Sequence, residues 1–171
     1  MSEQLAESGL STRPATLDDA ETTRAIYNVE VETSVVTFDL VARSLEEQRH
    51  WLADRSGAHA VIVAEDGSGA VVGFASLSPY KQRPAYKTSV EDSVYVHRDH
   101  QGQGIGGLLL GELLEVARSH GFHAVFARIV GGHEASVALH RAHGFEMVGT
   151  EREVGRKFGR WLDVTIMQRL L

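Results

Sequence analysis

The stretch "YVHRDHQGQGIGGLLLGELLEVARSHGF", residues 95–122, decides how this chain is read. It begins as a strand, passes through "GQGIGG" at residues 102–107, and continues as an apolar helix-like run that Gly121 ends. Gly102, Gly104 and Gly107 satisfy G-x-G-x-x-G, a dinucleotide-binding pattern. That reading also needs an early first strand and an acid about 20 positions past the loop for a ribose. The region around Ala127 holds no acid, and the loop sits too late in a 171-residue chain for two βαβ halves. A triphosphate P-loop needs Gly-Lys-Ser/Thr, but Leu108 follows Gly107. What survives is a pyrophosphate seat without the rest of a dinucleotide fold. Successive glycines would bare backbone N–H groups at a helix N-terminus, where unpaired donors and partial positive charge suit a diphosphate. Arg98 and Gln101, just upstream, add candidate donors. A glycine turn that only packs tightly is the alternative that the loop alone leaves open.

Working outward, "LSTRPAT" reads as a first strand ending at Pro14. A helix follows, with Thr16 as N-cap and acids in its first turn. Ser44 and Glu47 form a capping-box pair that opens a second helix over "SLEEQRHWLADR". "HAVIVAED" and "AVVGFASLSPY", joined by "GSG", predict a hairpin, "KQRPAYKT" a loop and "SVEDSVYVHRD" the next strand. Beyond the glycine-led helix come a strand, "HAVFARIV", and a short helix, "EASVALHRAHGF", closed by Gly144. Two last strands join near Gly155 to Gly159. The layout predicts a mixed α/β (α+β) fold, helices covering both faces of one central sheet. Residues 1–9 read as a loose tail and 10–171 as one domain.

Composition narrows the function classes. A formal net charge of −6 argues against a general nucleic-acid binder. The absence of cysteine excludes thiolate nucleophiles, disulfides and Cys-based zinc sites. No apolar run approaches the ~18 residues a membrane span needs, and "MSEQLAESGLS" does not read as a secretory signal. A soluble cytoplasmic protein is expected.

The wider pattern resembles a known family. "VYVHRDHQGQGIGGLLL" is similar to the acetyl-coenzyme A signature Q/R-x-x-G-x-G/A of the GNAT (GCN5-related N-acetyltransferase) superfamily, matched by Gln101, Gly104 and Gly106. "SVALHRAHGF" looks like that fold's second signature. "RPAT", "NVEVETSVVTF", "SVEDSVYV", "ALHRAHGF" and "GRWLDV" bring the chain nearest the phosphinothricin and methionine sulfone/sulfoximine acetyltransferases. The resemblance implies a mostly antiparallel twisted sheet splayed between its fourth and fifth strands. Acetyl-coenzyme A would lie in the gap, its pantetheine arm along Val94, Tyr95 and Val96 like an added strand. Gln101 and the amides of Gly102, Gln103, Gly104, Ile105, Gly106 and Gly107 would hold the pyrophosphate. His133 stands where the family often has an asparagine that contacts the pantetheine arm. A homodimer is implied as well.

The same resemblance implies the chemistry. A mostly protonated α-amine must lose a proton before it attacks a thioester. The family's catalytic glutamate falls at Glu91. Strand alternation puts Glu91, Ser93 and Tyr95 on one face and the rival acid Asp92 on the other. His140 stands where many members have a tyrosine acid, to protonate the leaving thiolate or steady its charge. The loop residues Gln82, Arg83 and Tyr86, with Glu91, Asp92 and Ser93, are the expected substrate contacts; a guanidinium suits a substrate carboxylate. Phe38, at the end of "VETSVVTF", is expected as an apolar wall of the same pocket. Direct attack in a ternary complex is expected, since no cysteine offers a covalent acyl carrier. A non-catalytic acyl-coenzyme A sensor and an acetyltransferase for protein N-termini or other amines remain as alternatives. His97/His100, His120/His123 and His140/His143, each three apart, are better explained by chance than by a metal, and none is expected.

Overall fold

The computed structural model describes residues 9–55 and 57–171. The expected tail, residues 1–9, lies outside the described residues except for Gly9. Among the described residues, seven strands form one sheet: β1 (Ser11–Pro14), β2 (Val61–Glu65), β3 (Val71–Pro79), β4 (Ser89–Val96), β5 (Ala124–Val130), β6 (Glu146–Lys157) and β7 (Arg160–Leu170). Within the same described residues, four α-helices accompany them: α1 (Ala20–Thr33), α2 (Leu45–Ala53), α3 (Ile105–Ser119) and α4 (Glu134–Ala142). The strand order is β1-β2-β3-β4-β5-β7-β6. Every pair is antiparallel except β4 with β5. None of the described helices is long and apolar enough to cross a membrane.

Local chemistry explains the elements. Thr16 caps a 3-10 turn, Leu17–Asp19, that runs into α1. The Ser44 hydroxyl accepts from the Glu47 amide at 3.2 Å while Glu47 accepts from the Ser44 amide at 2.7 Å, opening α2 with a reciprocal capping box. The sheet buries both faces. Ile62, Ala64, Ala75, Val90, Val125 and Ala127 point toward α3, whose Leu109, Leu110 and Leu113 are fully buried. Val61, Val63 and Phe74 point the other way, against Ile26, Tyr27 and Val31 of α1. That alternation makes the strands apolar on both sides, as a sheet covered by helices requires. It also assigns every side chain of β4 and β5 to one face of the sheet or the other.

β6 carries a bulge. Its register moves from Glu151↔Val164 to Gly155↔Leu162, so β6 runs through more residues than β7 over that span. Glu153, within it, has φ 52°, and its amide donates to Asp163 Oδ1 at 2.8 Å. The bulge turns the far end of the β6–β7 hairpin toward the segment that follows α1.

Candidate functional site

β4 and β5 are paired only at Ser89↔Ala124, Val90↔Val125 and Glu91↔Phe126. Past Glu91 they separate. β3 stays paired with β4 as far as Val96, and β7 with β5 as far as Val130. Two strand edges, Asp92–Val96 and Ala127–Val130, therefore face each other across a gap in the middle of the sheet. Main-chain donors and acceptors on such edges need partners, so an extended ligand can add to them as a strand would. The gap is a cleft of about 560 Å³.

The glycine loop forms one end of this cleft. Gly102 and Gly104 have φ of 75° and 83°, left-handed conformations that glycine adopts without strain. Gly104 is the N-cap of α3; the helix bonds begin with the Leu108 amide to the Gly104 carbonyl at 3.0 Å, so the amides of Ile105, Gly106 and Gly107 have no partner within the helix. Gln101, Gly102, Gly104, Ile105 and Gly106 line the cleft. Gln103 and Gly107 do not: the Gln103 side chain turns back to the Asp99 carbonyl at 3.5 Å, and the Gly107 carbonyl accepts from His143 Nε2 at 3.1 Å. Arg98 is committed elsewhere, donating to Glu30 Oε1 at 2.8 Å and Thr33 Oγ1 at 2.7 Å. Val94, Tyr95, Val96 and His133 also line the cleft. His133 caps α4, its Nδ1 accepting from the Ser136 amide at 3.3 Å, which leaves the proton of the neutral ring on Nε2.

Glu91, Asp92, Ser93 and His140 meet deeper in the cleft. Glu91 is half-buried on the α1 side. Burial raises its pKa above the ordinary glutamate value; Arg128 opposes the rise, and the charges of Asp92 and Glu151 add to it. Asp92 faces the α3 side and is buried. Its Oδ2 lies 3.0 Å from His140 Nε2, while His140 Nδ1 lies 2.7 Å from the Ser136 carbonyl oxygen. Both ring nitrogens face acceptors, an arrangement that the doubly protonated imidazolium satisfies at both ends. Burial alone would lower the His140 pKa, but the bond to Asp92, its charge and the Ser136 carbonyl outweigh that and hold it above the usual value. Asp92, read from sequence as a rival base and substrate contact, is thus the fixed partner of His140.

The segment after α1 closes the α1 side. The Thr37 hydroxyl bonds the Tyr27 hydroxyl at 2.9 Å, and Tyr27 donates to Asp39 Oδ2 at 2.5 Å. Buried Lys157, at the end of β6, donates to the Thr37 carbonyl at 2.9 Å. Phe38 lines the cleft and packs on Gly155, where a Cβ would come within 2.4 Å of its ring. The loop "KQRPAYKT" is not brought to the cleft. Gln82, Arg83 and Tyr86 are exposed on and beside a 3-10 turn, Pro84–Tyr86, held by Tyr86 edge-on to Tyr80 and Tyr80 stacked on Phe126 at 4.0 Å. The guanidinium in the cleft is that of Arg128, which the sequence reading passed over inside an apolar strand. Among the described residues no group of three or more His, Asp or Glu side chains could hold a metal ion.

Residues 13–166 match the model of the acetyltransferase (GNAT) domain. This chain belongs to the GNAT acetyltransferase family. The acetyltransferase is 41% identical to phosphinothricin N-acetyltransferase of Streptomyces coelicolor, covering 93% of this chain and 95% of that one. It is 37% identical to L-methionine sulfoximine/L-methionine sulfone acetyltransferase of Pseudomonas aeruginosa, covering 98% and 94%. Among solved structures, a ribosomal-protein-alanine N-acetyltransferase from Brucella melitensis superposes with TM-score 0.92 at 43% identity, over 94% of this acetyltransferase and 99% of that chain. A phosphinothricin acetyltransferase from Sinorhizobium meliloti, in complex with AcCoA, gives 0.91 at 38% identity, over 95% and 89%.

Proposed function

We propose that this enzyme moves an acetyl group from acetyl-coenzyme A to the α-amine of a small amino-acid-like substrate of the phosphinothricin, methionine sulfone or methionine sulfoximine type. The observation that carries the proposal is the opening of β4 from β5 directly after Glu91, which puts a half-buried carboxylate beside a free strand edge. The Streptomyces coelicolor and Pseudomonas aeruginosa relatives are named for substrates of this class. The residues present fit acetyl-coenzyme A. The free edge of Val94, Tyr95 and Val96 offers main-chain groups to an amide-bearing arm, and the amides of the Gly102–Gly106 turn suit a pyrophosphate. His133 Nε2 can donate to the arm. Bound there, acetyl-coenzyme A supplies an electrophilic thioester and a thiolate leaving group.

In this reading Glu91 takes the proton from the incoming ammonium, directly or through a water. Its raised pKa suits a base that must also release the proton afterwards. His140 is held by Asp92 and the Ser136 carbonyl, so its proton is shared rather than free. Of the two roles the sequence suggested, steadying the thiolate charge fits this arrangement better than giving the proton away. Phe38 and Thr37 wall the acceptor end. With no cysteine to carry an acyl group, transfer is direct. Residues 10–171 act as one domain, and we read the enzyme as cytoplasmic from its composition and as a homodimer on the family resemblance.

A second reading, acetylation of a protein N-terminus, is favoured by the similarity to the Brucella melitensis enzyme. Thiol release from acetyl-coenzyme A, followed across amino acids, their sulfone and phosphinate analogues and alanine-initiated peptides, separates the two. Release with the amino acids supports the proposal. Release with peptides alone supports the second reading, and cofactor binding without release to any amine would make the protein a sensor.

A further inference from the structure

Arg128 is the only arginine or lysine among the described residues that line the cleft. Its position follows from register. Glu91 pairs with Phe126, so Arg128 lies two residues further along β5, about 6.6 Å, on the same face of the sheet. There the two strands have already parted. Its charge reaches Glu91, whose pKa it pulls down against the effect of burial. Glu151 fixes the guanidinium from one side, with Nη2 to Oε2 at 2.6 Å and Nη1 to Oε1 at 3.5 Å. The fork has five donors, so donors remain for a second carboxylate. The pair is open to solvent, 30% for Arg128 and 37% for Glu151, and exposed pairs of this kind contribute little to stability.

We infer that Arg128 receives the α-carboxylate of the acceptor, with Glu151 orienting the guanidinium. This rests on the functional reading above and narrows it to acceptors with a free carboxylate beside the reacting amine. A zwitterionic amino acid presents an ammonium and a carboxylate on one carbon. Glu91 and Arg128 present the complementary charges on one face of the cleft. Arg83, expected from sequence to fill this role, lies on the exposed loop outside it.

The test compares L-methionine sulfone with its α-carboxamide as acceptors. The readout is the ratio of their kcat/KM values, because loss of Arg128's charge also changes Glu91 and moves both rates. Wild type should prefer the acid. Arg128→Gln should shrink that preference on the order of 30-fold or more, the loss expected when one side of a hydrogen-bonded charge pair is removed. Arg128→Lys, which keeps the charge but not the fork, should retain part of it. KM for acetyl-coenzyme A should stay put. An unchanged acid-to-amide ratio in Arg128→Gln overturns the inference and leaves the functional reading standing. Failure of wild type to acetylate any amino acid overturns both.

Discussion

The buried pair of Asp92 and His140 makes opposite predictions for its two halves. Remove the imidazole with His140→Ala and a carboxylate is left in a buried site with no cation. Such a group takes up a proton on folding, and the unfolded chain holds a carboxylate that titrates near 3.9. The variant then loses about 1.36 kcal/mol of stability per pH unit, about 3.4 kcal/mol between pH 5.0 and 7.5. Wild type also loses some. His140 has a folded pKa above its unfolded one, so its contribution is complete below about 6.5 and fades as pH rises through the folded value. That loss reaches at most about 1.4 kcal/mol by pH 7.5. The penalty of His140→Ala should therefore grow by about 2 kcal/mol or more from pH 5.0 to 7.5. The cavity left by the ring adds a cost that does not change with pH. Asp92→Asn should behave in the reverse sense. An unpaired buried imidazole sheds its proton, so folding releases a proton at pH 5.0 but not at about 7.5, and the penalty shrinks by up to about 3 kcal/mol. Urea unfolding of the three proteins at both pH values reads the slopes directly. Slopes of the same sign, or two flat penalties, would refute the ion pair.

Two further outcomes follow from the site. Glu91→Gln should lower kcat by about 100-fold or more while KM for acetyl-coenzyme A holds, and in wild type kcat should fall with acid through a pKa above the ordinary glutamate value of ~4.3; steady-state rates across pH check both, and a limb that survives in Glu91→Gln would assign it to another group. Gly155→Ala puts a methyl group 2.4 Å from the Phe38 ring, which is 39% exposed and can swing aside. Acceptor kcat/KM should change by roughly 10-fold or more, the scale of one methylene in a pocket, with a stability loss on the order of 1 kcal/mol; the pair Gly155→Ala with Phe38→Leu should recover toward wild type, and no change in either variant would remove Phe38 from the acceptor wall.

What the sequence disclosed depended on how local the cause was. Capping boxes act over three residues, so the Ser44–Glu47 pair was legible and the helix it opens followed. The "GSG" turn fixed the β2–β3 hairpin for the same reason. Alternation along β4 correctly separated Glu91 from Asp92. It could not say what each face would meet, because His140 lies 48 residues from Asp92 and their contact depends on how α4 packs over the split. The same limit hid Arg128. "FARIV" reads as an apolar strand with one charge, and only the Glu91↔Phe126 register turns that charge into the cleft. Nearness in sequence misled for Arg83 and Tyr86: eight and five residues before Glu91, they leave the cleft because Tyr80 anchors their loop on Phe126 instead. The β6 bulge had no sequence signal beyond its glycines, yet it brings Gly155 under Phe38 and Lys157 to Thr37.

The most direct test of direct acetyl transfer is mass spectrometry of both enzyme and amine. The enzyme is first incubated with acetyl-coenzyme A alone, then with L-methionine sulfone added. The account predicts an unmodified protein in the first step and a product acetylated at the α-nitrogen in the second, formed in step with thiol release. A protein that carries an acetyl group after the first step and passes it to the amine would contradict direct attack, and an unacetylated amine would contradict the function itself.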